Sequence, residues 1–189
     1  MKRLFKLLLL PLLLTTVVAC EETEEAGEFD NWAQRNSEYI DSIAQVARAN
    51  ADGDWKVFLA HGMNDTLQWD NKYYVYCKVK SCGTGTTHPM YNDNVWVNYS
   101  GKLINDKIFD ASYSGELNPD YEAPMQLALN ESVKGFTTAV QEMVRGDIWE
   151  IYVPSTLGYG AIDNGVVPAY STLIFTVNLV DFSHPKAGE

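Results

Sequence analysis

The chain is predicted to adopt an α+β fold, and three of its features predict it. Runs rich in aromatic and β-branched residues recur from Lys72 to Val180, with turn residues between them. In the middle of these runs, residues 131–143 carry apolar side chains at helical spacing. Ahead of all the strands, residues 29–50 carry a second, longer helical stripe. One short helix among antiparallel strands, with a helix in front, is an α+β pattern.

The first nineteen residues read as an address. Lys2, Arg3 and Lys6 make a basic start, residues 7–14 are an apolar run broken only by Pro11, and Val17-Val18-Ala19 lead into Cys20. This run falls short of the roughly 20 apolar residues of a spanning helix, so it reads as a secretory signal. Its ending at Cys20 looks like a bacterial lipoprotein signal, which implies diacylglycerol on the Cys20 thiol and cleavage before it. An ordinary signal peptide with an incidental cysteine is the alternative. Losing three cations and no acids takes the formal charge from −11 to −14. Such a surface argues against nucleic acid or anionic lipid as a partner. The membrane link is then the lipid, each buried methylene contributing about 0.8 kcal/mol. The acidic run Glu21-Glu22-Thr23-Glu24-Glu25 reads as a solvated tether, with an export tag of surface lipoproteins as the sharper reading. The expected location is the cell envelope, lipid-anchored at the outer membrane and facing periplasm or cell surface.

The chain is thus expected to divide into a signal peptide (1–19), an acidic lipidated tether (20–28), a helical extension (29–70) and a strand-rich domain (71–184). In the extension, Phe29, Trp32, Tyr39, Ile40, Ile43, Val46 and Ala47 recur at helical spacing. Asp30 can cap the start, and Asn50 with Gly53 can end a helix of about five turns. The stripe can pack on its own domain or pair two copies as a homodimer. Residues 55–60 fit a strand or a short helix equally. Asp52-Gly53-Asp54 reads as a turn, because the further ligands of a calcium loop are missing.

Residues 73–79, 95–99, 150–153 and 173–180 read as strands, with Gly83-Thr84-Gly85 as punctuation. Val133, Phe136, Val140 and Met143 mark the short helix. Cys77 and Cys82 lie about 16 Å apart on an extended strand at about 3.3 Å per residue. A disulfide needs Cα atoms within about 7 Å, so a sharp turn would have to intervene; two free thiols are the simpler expectation. His61, His88 and His184 stand in no ligand or triad spacing, and the Gly83 segment lacks the lysine of a phosphate loop. No metal, nucleophile, nucleotide or other cofactor is expected.

An ordered set of segments remains: Val95-Trp96-Val97-Asn98-Tyr99-Ser100-Gly101, Lys107-Ile108-Phe109-Asp110, Val133-Lys134-Gly135-Phe136, residues 146–154, Gly158-Tyr159-Gly160, and residues 172–179. Their order and spacing resemble the FKBP-type peptidyl-prolyl isomerases over roughly the last 110 residues. The resemblance implies a curved antiparallel half-barrel wrapped around the short helix, with a pocket between them. It implies that proline-containing polypeptides are the substrates. It also supplies the precedent for an N-terminal helix that dimerises, since some secreted members have one.

Isomerisation of an X-Pro bond faces a barrier of about 20 kcal/mol, because rotation breaks amide resonance. The planar amide is the more charge-separated state. A dry apolar pocket therefore favours the twisted state, and only such differential binding raises the rate. By the resemblance, Tyr99, Phe109 and Phe175 line the slot for the pyrrolidine ring. Tyr159 holds a substrate carbonyl, and Asp110 is a buried acceptor that positions pocket groups. Val133 and Val167 are aliphatic walls, Val133 also offering its backbone N–H. Three departures stand out. Phe136 replaces the tryptophan usual at the pocket floor, Met125 replaces a usual phenylalanine, and the 111–123 loop is longer. These leave two alternatives beside a folding isomerase for exported proteins: a catalytically weak binding or chaperone module, and an envelope structural subunit.

Overall fold

A computed structural model describes residues 27–184. The segment read as a signal peptide, Cys20 and the acidic run after it lie outside the described residues. The chain forms two units, Met1–Asp30 and Asn31–Glu189. In the first, the Asp30 carboxylate accepts the Gly27 N–H at 2.7 Å. Asp30 is thus spent on a local turn and does not cap the helix. The position before the helix is held by Asn31, in a left-handed conformation with φ 52° and no side-chain cap.

The second unit opens with helix α1 (Trp32–Ala49), which ends at Asn50, also left-handed, whose N–H returns to the Val46 carbonyl. Seven strands follow: β1 (Trp55–Leu59), β2 (Tyr74–Ser81), β3 (Asn94–Lys102), β4 (Ile108–Ala111), β5 (Met125–Ala128), β6 (Ile148–Val153) and β7 (Leu173–Ser183), with helix α2 (Lys134–Val140) between β5 and β6. They form one antiparallel sheet in the order β1-β2-β6-β7-β3-β4, with β5 also on β3. The ambiguous run after α1 is therefore an edge strand. The extension is not helix alone, because β1 adds to β2 from Trp55↔Lys78 to Leu59↔Tyr74.

Strand alternation assigns the two faces. Val75, Cys77, Ile151, Val153, Leu173 and Phe175 join the cluster that contains Phe136 and Val140 of α2 and Met143 just beyond it. Their neighbours Tyr76, Tyr152 and Ile174 turn the other way, onto Ile40, Ala44 and Ala47 of α1. The apolar stripe of α1 is thereby covered by the sheet of its own chain, and the dimerisation reading gains nothing from the fold. Val46, counted on the stripe from its spacing, is 53% exposed. Near the start of the helix the buried stripe instead takes in Asn36, which accepts the Thr172 N–H at 2.7 Å and donates to the Trp32 carbonyl at 2.8 Å.

One edge of β3 is shared. β5 pairs with its first half and β4 with its second. The long 111–123 loop leaves and returns at this junction. Ser112 anchors it, donating its N–H to the Tyr99 carbonyl at 2.8 Å and accepting the Tyr99 N–H on its hydroxyl at 2.9 Å.

Cys77 and Cys82 are both free, the first buried on β2 and the second exposed. Burial pushes the Cys77 thiol up, which leaves little reactive thiolate. A thiol reagent is expected to label Cys82 at once and Cys77 only on unfolding. Mass spectrometry of the labelled protein checks this, and rapid double labelling would contradict the packing of β2. Among the described residues no group of three His, Cys, Asp or Glu could hold a metal ion, and no helix is long and apolar enough to cross a membrane.

Candidate functional site

A cavity of about 190 Å³ opens between the sheet and the start of α2. Its lining includes Tyr99 of β3, Phe109 and Asp110 of β4, Val133 and Phe136 at α2, Tyr159, and Phe175 of β7. These residues span more than seventy positions of sequence. They meet because β3 lies between β4 and β7, placing Gly101 opposite both Asp110 and Phe175.

Four rings make the slot. Phe136 meets Phe175 edge-on at 5.2 Å and 72°, Phe109 meets Phe175 at 5.6 Å and 84°, and Tyr99 meets Phe136 at 6.5 Å and 71°. Edge-to-face pairs of this kind add about 0.5–1.5 kcal/mol each beyond area burial and hold the walls in place. Phe136 is buried, so the floor stays aromatic although it lacks an indole N–H.

Polar groups stand at the rim. The Tyr99 hydroxyl donates to the Asp110 carboxylate at 2.6 Å. Burial, reinforced by this hydrogen bond and by the Asp110 charge, pushes the Tyr99 hydroxyl well above the usual tyrosine value. It remains a neutral donor throughout the physiological range. The Tyr159 side chain is 38% exposed, and among the described residues its hydroxyl has no hydrogen-bond partner. The backbone N–H of Val133 is likewise without a partner among the described residues, while its carbonyl accepts the Thr137 N–H at 3.1 Å. Two donors therefore stand open beside an apolar slot.

Three expected positions differ. Asp110 is exposed, not buried, because it stands on the edge strand β4 at the open mouth of the cavity. Its carboxylate still reaches Tyr99 from the rim. Val167 is 2% exposed and lies in the core beneath the slot, not on its wall. Asn164 turns it inward by accepting the N–H groups of Val166 at 3.1 Å and Val167 at 2.7 Å. Met125 is 43% exposed on β5 and is not among the cavity's lining residues; its sulfur lies 3.9 Å from the Tyr99 hydroxyl. Leu127, Glu131 and Ser132, which the sequence reading did not select, line the cavity. A larger hollow of about 630 Å³ lies between α1 and residues 154–156, and its lining shares no residue with the four-ring slot.

Known proteins resemble this chain in sequence and fold. A family model described as FKBP-type peptidyl-prolyl cis-trans isomerase matches residues 85–180. The chain is 43% identical over 105 residues to "Peptidyl-prolyl cis-trans isomerase Mip" of Coxiella burnetii, an overlap covering 54% of this chain and 42% of that protein. It is 34% identical over 172 residues to "FKBP-type peptidyl-prolyl cis-trans isomerase FkpA" of Aeromonas hydrophila, covering 87% of this chain and 62% of that one. The crystal structure of FkpA from Escherichia coli superposes with a TM-score of 0.60 at 25% identity, over 82% of this chain and 62% of that one. The chain spans about half the length of the curated relatives it matches.

Proposed function

Because the chain belongs to the FKBP-type peptidyl-prolyl cis-trans isomerase family, we propose that it catalyses cis/trans isomerisation of X-Pro bonds in exported polypeptides. The observation that carries the reading is the aromatic slot with two open donors at its rim, the Tyr159 hydroxyl and the Val133 N–H. The pyrrolidine ring enters between Tyr99, Phe109, Phe136 and Phe175. The open donors hold the flanking carbonyls. The rings supply no charge to stabilise the planar amide, so the less polar twisted state gains relative to it. Asp110 fixes Tyr99 and makes no bond to the reacting amide. Catalysis of this kind needs no covalent step and no cofactor.

A specific feature supports a binding role beside catalysis. Ile108, Met125, Ile162 and Val166, each close in sequence to a slot or rim residue, are all more than 40% exposed. They form apolar surface for segments of an unfolded client. In the reading proposed here, Cys20 carries the lipid that tethers the domain to the outer membrane, and exported proteins are its clients.

The test is acceleration of X-Pro isomerisation in peptides, and of proline-limited refolding, by residues 28–189. That chain contains the whole compact unit. Asp110→Val is expected to lower kcat/KM about tenfold or more, and Tyr159→Phe, which loses a bond to a neutral carbonyl, about two- to tenfold, each with little change in unfolding midpoint, since both side chains lie at the rim. One lost hydrogen bond to a charged group corresponds to about 1.5–3 kcal/mol. Unchanged activity in both variants would reject the site, and a folded but inactive parent would leave the binding module.

A further inference from the structure

We propose that the hollow next to the slot is a second subsite of the same substrate groove, taking an acidic side chain a few residues from the proline. The inference rests on the isomerase reading and adds a sequence preference to it. Ser132 lines both the slot and this neighbouring hollow, so the two share a rim. The hollow holds about 500 Å³, room for a long side chain and its backbone. Val133 and Lys134 are consecutive, yet Val133 lines the slot and Lys134 the hollow. The separation is therefore short, two or three residues of extended chain at about 3.3 Å each.

The hollow's polar groups fall into two sets. One is already satisfied: the Thr137 hydroxyl donates to the Leu129 carbonyl at 2.9 Å, the Thr138 hydroxyl accepts the His61 N–H at 3.2 Å, and the Gln141 amide lies 2.8 Å from the His61 ring. The other is not. Among the described residues Lys134 is in no ion pair, and the side chains of Asn130, Ser132 and Tyr91 make no hydrogen bond. All four can donate, and a carboxylate is the side chain that only accepts. Of the acids close by, Glu142 is occupied by His61 at 3.2 Å, and Glu131 lines the slot and not the hollow. The negative charge of the whole chain opposes an acidic peptide at long range. At physiological ionic strength that field is screened beyond about 8 Å, and the local ammonium decides.

The experiment measures kcat/KM at about 0.15 M ionic strength, where the long-range field is screened, for X-Pro peptides carrying Glu or Gln two or three residues from the proline, on either side. Glu is expected to exceed Gln about two- to five-fold at one of these positions, the range of an exposed ion pair. Lys134→Gln should equalise the two while leaving the neutral peptide's rate unchanged. Lys134 is exposed at the first position of α2, and glutamine supports a helix equally well. Glu no better than Gln at every position, or a preference that survives Lys134→Gln, would overturn the subsite. Fluorescence anisotropy of the same labelled peptides separates the two readings. A Glu preference in binding without turnover would keep the subsite and remove the isomerase.

Discussion

Gly101→Ala is expected to reduce isomerase activity about a hundredfold while costing about 1–3 kcal/mol of stability, the usual range for an overpacked site. A methyl group at Gly101 would stand 2.5 Å from Phe109 Cζ, 2.8 Å from Phe109 Cε2 and 3.0 Å from Phe175 Cε1. Phe175 is held edge-on against Phe136 at 5.2 Å and has no room to withdraw. Phe109, only partly buried on the edge strand β4, is the ring that yields. Its path leads into a slot of about 190 Å³. A misplacement of about 1 Å at a reacting centre can remove a hundredfold in rate. Measuring kcat/KM together with the denaturation midpoint separates the two effects. Adding Phe109→Leu to the Gly101→Ala chain should recover stability and part of the activity. Full activity in Gly101→Ala alone would show that the proline does not turn between Phe109 and Phe175.

The residues of the slot were legible because their motifs survive in order along the chain: Tyr99, Phe109, Val133, Phe136, Tyr159 and Phe175 all line one cavity. What motif order does not carry is which way a side chain points at an edge or in a turn. The exposure of Asp110 and the burial of Val167 were misread for that reason. The edge position of β4 leaves Asp110 exposed while it still lines the cavity, and the Asn164 turn sends Val166 out and Val167 in. Leu127 was missed because β5 is four residues long and has no pattern of its own; its register against β3 assigns its faces. Glu131 and Ser132 had a usable signal, since they directly precede Val133 at the start of a short helix. Residues there must face whatever the helix N-terminus faces.

The fold divides along the same line. Apolar periodicity marked α1, α2 and the long strands, whose side chains are buried on faces that a period of 2 or 3.6 can report. Asn36 shows the limit. A polar residue was excluded from the stripe of α1, yet Asn36 is buried there because it satisfies the Thr172 N–H and the Trp32 carbonyl at once. Asp30 was read as a cap from its type and place, but its carboxylate closes a turn on Gly27 instead.

The Gly83-Thr84-Gly85 segment reads in the sequence only as punctuation between strands, and its structural role leads to a second large effect. Gly83→Ala is expected to cost about 3–5 kcal/mol, a large share of the roughly 5–15 kcal/mol that holds such a domain. A Cβ at Gly83 would lie 2.1 Å from the Arg145 carbonyl oxygen and 2.6 Å from the Asp147 nitrogen. These are backbone atoms of a turn that cannot retreat. The Asp147 carboxylate, 5% exposed, accepts the Gly83 N–H at 2.7 Å and the Val144 N–H at 2.8 Å. Gly146, at φ 89°, donates to the Leu179 carbonyl at 2.7 Å, and the Gly85 N–H reaches the Arg145 carbonyl at 3.1 Å. The methyl group must therefore break the bond to Asp147, worth about 1.5–3 kcal/mol for a charged acceptor, in addition to the overlap itself. Urea unfolding reads the loss as a lower midpoint at constant slope. Asp147→Asn weakens the same contact, so the double variant should lose less than the sum of the two single losses. An unchanged midpoint in Gly83→Ala would mean that the segment does not lie against this turn in solution, and the buried Asp147 would then need another partner to account for its place in the core.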